Sequence, residues 1–169
     1  TASGRNLNSD DAYNPELIYD NTLVKVKLKF PLLPNSDVQF KIKFKTYYDK
    51  GSERRRMKVF THNGYKHFDG VHWYPRICVY DRKFGWDTQQ HLGKEFYGNF
   101  GCFNVALTLP NQYVAEATGW LQNENEVLPP ELKSKLLIKN FKDKPFESKP
   151  SEIIKPDGTT KTWKYHAEN

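Results

Sequence analysis

The sequence predicts an all-β domain, a twisted antiparallel sandwich or saddle of seven or more strands with one short helix near 130–138. Three observations predict it. Aromatic residues are abundant, with 4 Trp, 10 Tyr and 11 Phe among 169 residues, and such side chains suit pleated, half-buried surfaces. Apolar residues make up only 37% and fall in short runs bounded by Pro, Gly and Asn. Several runs alternate apolar and polar residues at a period of two, which gives a strand one dry and one wet face. The length suits a single β domain over residues 1–169, large enough to bury a core without disulfide staples.

The opening residues, TASGRNLNSDDAYNP, lack the charged start and apolar centre of a signal peptide. No run approaches the ~18–20 apolar residues needed to cross a bilayer, so no membrane segment is expected. From Val24 to Phe30 and again from Phe40 to Lys45, lysine alternates with apolar residues, which puts the lysines on one wet face of each strand. The intervening PLLPNSD favours a turn, and the two runs are expected to pair as an antiparallel hairpin. This placement accounts for much of the +6 net charge as solvated strand face. It also argues against a nucleic-acid partner, because no stacking motif accompanies the charge. Arg54-Arg55-Arg56 reads as a soluble loop.

A short strand is expected from Met57 to Thr61, followed by a tight turn at Asn63-Gly64. The chain re-enters β structure from Val71 to Tyr80, where Pro75 forces an edge or bulge. Phe103 to Leu109 alternates cleanly and is expected to form a second hairpin with Tyr113 to Thr118. The helix starts at Pro129-Pro130-Glu131, with proline and an acid in its first turn and Leu132, Leu136 and Leu137 along one face. Residues 140–158 are rich in Lys, Pro and Ser, and Pro156-Asp157-Gly158 turns the chain into a strand from Thr159 to Tyr165.

The inventory of chemistry is thin. His62, His67 and His72 recur every five residues, but Asn-Gly and Asp-Gly pairs among them rule out the helical i, i+4 spacing of a zinc motif, and no metal site is expected within the chain. No HExxH, GxSxG, phosphate-cradling glycine loop or CxxC occurs. Cys78 and Cys102 read as small buried hydrophobes rather than nucleophiles, and they allow at most one disulfide. No catalytic residue is expected here.

Trp73-Tyr74-Pro75-Arg76, Val79-Tyr80-Asp81, Gly85-Trp86, Glu95-Phe96-Tyr97-Gly98, Phe103-Asn104-Val105 and Ala117-Thr118-Gly119 carry a further signal. Together they resemble the N-terminal β domain of aminopeptidase N-like zinc metallopeptidases, in the divergent branch typical of Bacteroidetes. The likeness is strong over the middle third of the chain and weaker beyond it. It implies a non-catalytic domain, excised from a larger peptidase, that packs on the catalytic domain and shapes the substrate entrance. Zinc, the HExxH helix and the third ligand would belong to that next domain. The fragment itself should neither bind zinc tightly nor cleave peptides, and a surface covered by its partner should leave an exposed apolar patch.

In that family the β domain can offer a Glu or Gln to the substrate's free amino group, since a buried ammonium needs an acceptor. Here His72 stands where a Gln often precedes the WYP motif, and Asp69 is the nearest acid. The resemblance makes these two the substrate-facing candidates, with a peptide as substrate of the whole enzyme. Trp73, Tyr74, Pro75, Tyr80, Asp81 and Gly119 read as scaffold, because broad aromatic surfaces fill sandwich cores and glycines mark bends and close approaches. Bacterial members of the family are often exported, to the periplasm or the cell surface. Two rivals remain: a free-standing sugar- or peptide-binding module using exposed Trp86 or Trp120, and a peptidase homologue lacking the zinc motif.

Overall fold

A computed structural model describes residues 15–51, 56–90, 97–141, 145 and 153–168. The sequence features at 1–14, Arg54, Arg55, His91, Glu95 and Phe96 lie outside the described residues. The architecture is all-β: antiparallel strands dominate, and the helices are short. Nine strands among the described residues fall into four sheets, three of them two-stranded and one three-stranded. The chain divides into two compact units, the first running to Asn99 and the second from Phe100 on, with Asn63–Tyr65 grouped in the second.

In the first unit, β1 (Glu16–Asp20) pairs with β2 (Leu23–Lys27) in an antiparallel hairpin. This replaces the expected pairing of 24–30 with 40–45; residues 40–45 form no ladder and show only an isolated bridge position at Lys43. Closing a turn of two residues, Asn21-Thr22, costs less chain entropy than closing one across PLLPNSD. Gln90 fastens that turn, accepting from the Thr22 amide at 3.0 Å and donating to the Asp20 carbonyl at 3.0 Å. The lysine face is where the alternation puts it: Lys25 pairs with Asp20 at 3.2 Å and Lys27 with Glu16 at 3.4 Å.

β3 (Lys58–His62) and β4 (Tyr65–Asp69) form the hairpin that Asn63-Gly64 announces. Both turn residues have positive φ, 48° and 81°, as a type I′ turn requires. The expected strand over 71–80 is mostly absent, and only β5 (Tyr80–Asp81) pairs, with β6 (Gly85–Trp86). Pro75 has no amide to give a ladder and His72 takes a left-handed conformation, φ 55°, so the segment between them cannot run as a regular strand.

The second unit is built on β7 (Phe103–Pro110), β8 (Trp120–Leu121) and β9 (Thr160–Ala167), in the order β7–β9–β8. The partner of β7 is therefore β9, through eight residue pairs from Phe103↔Ala167 to Pro110↔Thr160, and not residues 113–118. Tyr113 instead donates its amide to the Pro110 carbonyl at 3.1 Å, turning the chain off the sheet edge. Ala115 and Ala117 then pack on the core, and the Tyr165 hydroxyl donates to the Ala115 carbonyl at 2.8 Å. That core consists of Val127, Trp163 and Tyr165 with Val105, Leu107, Leu109 and Leu121 against it.

Two helices follow β8. α1 (Glu124–Val127) buries Val127, and α2 (Pro130–Lys135) begins with the expected proline and buries Leu132. Leu136 is half-buried and Leu137 exposed, so the apolar stripe is narrower than its spacing suggests. Asn140 closes α2 by donating to the carbonyls of Ser134 and Lys135, which would otherwise be orphaned at the helix end. No helix among the described residues is long and apolar enough to cross a membrane.

Candidate functional site

The residues singled out in the sequence separate into three places. Asp69 ends β4 half-buried, and His72 follows three residues later, exposed. No hydrogen bond joins them. His72 holds one of the non-glycine left-handed conformations of the chain, at φ 55°. Histidine is among the side chains that tolerate this region best, and such positions concentrate where a side chain must be aimed.

Beside these two residues is an aromatic cluster. Trp73 meets Tyr74 edge-on at 5.3 Å and Phe44 at 6.1 Å, and Tyr48 meets Phe68 edge-on at 5.1 Å. The Thr46 hydroxyl donates to the Trp73 carbonyl at 2.7 Å, tying residues 44–48 to the WYP segment. Gly70 lets the chain pass close to Tyr48, since a Cβ there would lie 3.1 Å from the phenol oxygen. Asp69 and His72 are thus chain neighbours of these ring pairs, Asp69 following Phe68 and His72 preceding Trp73.

Tyr80 and Asp81 organise a second place. Tyr80 is paired with Trp86 across the β5–β6 hairpin, and the rings meet at 5.1 Å. Asp81 locks the hairpin tip: one carboxylate oxygen accepts the amides of Lys83 and Phe84 at 2.9 and 2.6 Å, and the other accepts a short hydrogen bond from the Tyr97 hydroxyl. Arg76 of the WYPR run donates to the Tyr97 carbonyl at 3.0 Å. The Tyr97 bond, followed by the Phe84 amide, holds the Asp81 carboxyl below the ordinary carboxylate range, and the same bond raises the Tyr97 phenol.

Gly119 belongs to the third place, the β7–β9–β8 sheet. It has φ 99°, and a Cβ there would run into the His166 carbonyl oxygen. Its absence of a side chain lets β8 lie against β9, with Trp120 opposite His166. Asn104 lies opposite His166 on the other side, and its side-chain oxygen is 2.8 Å from the His166 Nδ1. By strand alternation Asn104, Thr108, Thr162, Lys164, His166 and Trp120 share the outer face, while Val105, Leu107, Trp163, Tyr165 and Leu121 fill the inner one.

The sequence pointed to Trp120 alone on that outer face. Asn104 and Lys164 lay in expected strands and His166 just beyond one, but their convergence depends on β7 pairing with β9, which alternation alone does not reveal. Both cysteines are free thiols; Cys78 is half-buried, and Cys102 is exposed rather than buried as expected. Among the described residues no group of three or more His, Cys, Asp or Glu could hold a metal ion. No family model, no curated protein and no solved structure matches this chain.

Proposed function

We propose that this chain is the N-terminal, non-catalytic β domain of an aminopeptidase N-like zinc metallopeptidase, which packs on the catalytic domain and shapes the substrate entrance. The motif resemblance suggests it, and one observation carries it: the first unit leaves its apolar strand face open. In the β1–β2 hairpin the Leu17↔Val26 and Tyr19↔Val24 pairs lie opposite the ion-paired lysine face, yet Tyr19, Val24 and Val26 are 55%, 44% and 37% exposed. Only Leu23 and Val79 are buried among the described residues of that unit, while Phe30, Leu33, Tyr47 and Ile77 are more than half exposed. Leu17 on that face is half-buried, and apolar surface exposed to this extent supports a face that another body covers.

In this reading zinc and its ligands lie in the catalytic domain, where the metal activates water against a peptide carbonyl. This chain contributes Asp69 and His72 at the entrance, with Asp69 as acceptor for the substrate's terminal ammonium. The reading also implies a periplasmic or cell-surface location. The test is to express the coding region continuing past Asn169 and measure bound zinc and hydrolysis of alanine p-nitroanilide. One zinc per chain with activity is expected, and Asp69→Asn should raise KM about tenfold, the loss of one charge-assisted hydrogen bond. A continuation without HExxH, or a zinc-free inactive product, would sink the assignment.

A further inference from the structure

We propose that the outer face of the β7–β9–β8 sheet is a carbohydrate platform on which Trp120 stacks against the CH face of a pyranose ring. This inference is independent of the peptidase reading. Trp120 is 65% exposed, against 0% for Trp163 on the inner face of the same sheet. An indole left in water on a rigid sheet sacrifices much of the apolar burial that a tryptophan can supply. Here the backbone beneath the ring is set by Gly119 and by the pairing with His166.

What surrounds the ring selects the ligand class. Across the sheet the row Asn104, His166, Trp120 spans two strand spacings, roughly 10 Å, which suits one or two sugar rings. Asn104 uses its side-chain oxygen on His166, and His166 Nε2 lies 3.2 Å from the Glu168 carboxylate. That leaves the Asn104 amide nitrogen and the Lys164 ammonium as donors with no partner among the described residues. Ala106, opposite Lys164, adds no bulk between Asn104 and Thr108. One flat ring beside the Asn104 amide, which His166 holds, the Lys164 ammonium and the Glu168 carboxylate matches a pyranose, which presents an apolar CH face and a rim of hydroxyls.

Other ligand classes fit less well. A nucleic acid calls for clustered cations, and Lys164 is the one lysine or arginine among the outer-face residues of the three strands. An extended peptide binds through main-chain hydrogen bonds at a sheet edge, whereas this face offers side chains.

The test is calorimetric titration of the whole chain with cellohexaose, chitohexaose and mannohexaose, with hexa-alanine as the peptide control. At least one hexasaccharide should bind at one site, with Trp120→Ala weakening it about tenfold or more, which is ~1.4 kcal/mol. Trp120→Phe should keep part of the affinity, and Trp86→Ala, in the other unit, should leave it unchanged. Because Trp120→Ala could loosen β8, Asn104→Ala on the long strand β7 serves as a second variant and should weaken binding several-fold. The proposal is overturned if none of the three sugars binds at millimolar concentration, if hexa-alanine binds in their place, or if Trp120→Ala and Asn104→Ala leave binding intact.

Discussion

Asp81 shows how a single side chain sets a local structure and gives it a pH window. Its carboxylate accepts the Tyr97 hydroxyl and the amides of Phe84 and Lys83, and these bonds depress its pKa while the first raises that of Tyr97. A depressed carboxyl contributes stability that is complete above its unfolded value, about 3.9, and is lost as pH falls through the lower folded value. A raised phenol contributes below its unfolded value, about 10, and its contribution is lost as pH rises through the higher folded value. The β5–β6 hairpin should therefore be locked between about pH 4 and pH 10 and loosen outside that window. The fluorescence of Trp86, assigned by its loss in Trp86→Phe, should report both limbs, and Asp81→Asn should flatten the acid limb. An unchanged acid limb in Asp81→Asn would show that other carboxylates govern it. Sequence alone marked Asp81 as a scaffold residue but not its partner, because Tyr97 lies sixteen residues away.

At the scale of elements, local signals were legible and long-range pairings were not. Asn63-Gly64 specifies its turn through two positive φ angles, and Pro130 with Glu131 starts α2 through the first-turn preferences of a helix; both operate within a few residues. The β7–β9 pairing joins residues fifty or more apart, and alternation says which face of each strand is wet without saying which strands meet. The structure resolves that choice through the core: Trp163 and Tyr165 on β9 supply the buried surface that 113–118, with only Ala115 and Ala117 facing inward, cannot. Asn123 reinforces the choice. Its side chain accepts the Lys164 amide at 3.0 Å and donates to the Thr162 carbonyl at 2.9 Å, continuing the β8 pairing beyond Leu121. The same element depends on Gly119, where a side chain would meet the His166 carbonyl in a left-handed backbone. Gly119→Ala should cost about 2–3 kcal/mol from the conformation and the clash together. Urea denaturation followed at the buried Trp163 measures it, and a cost under about 0.5 kcal/mol would mean that β8 pairs without this close approach.

For the whole molecule, the decisive contrast is between a unit that closes a core and one that does not. Trp163, Tyr165 and Val127 are buried together in the second unit, whereas the apolar strand face of the first stays open although its lysine face is satisfied by ion pairs. Burying apolar area yields roughly 25 cal/mol per Å², so an open face of this kind is stability left for a partner to realise. The consequence can be separated from ordinary core packing by the effect of one substitution. Val26→Lys places a charge where the chain alone leaves the side chain 37% exposed, so in the chain alone stability should fall by no more than about 1 kcal/mol. In the longer protein that carries the proposed catalytic domain, the same lysine would be desolvated against that domain, and the melting temperature should fall by several degrees. Hydrogen exchange should agree, with amides of β2 exchanging quickly in the chain alone and slowly in the longer protein. An equal effect of the lysine in both proteins would show that this face meets water throughout, and the support role would lose its principal argument.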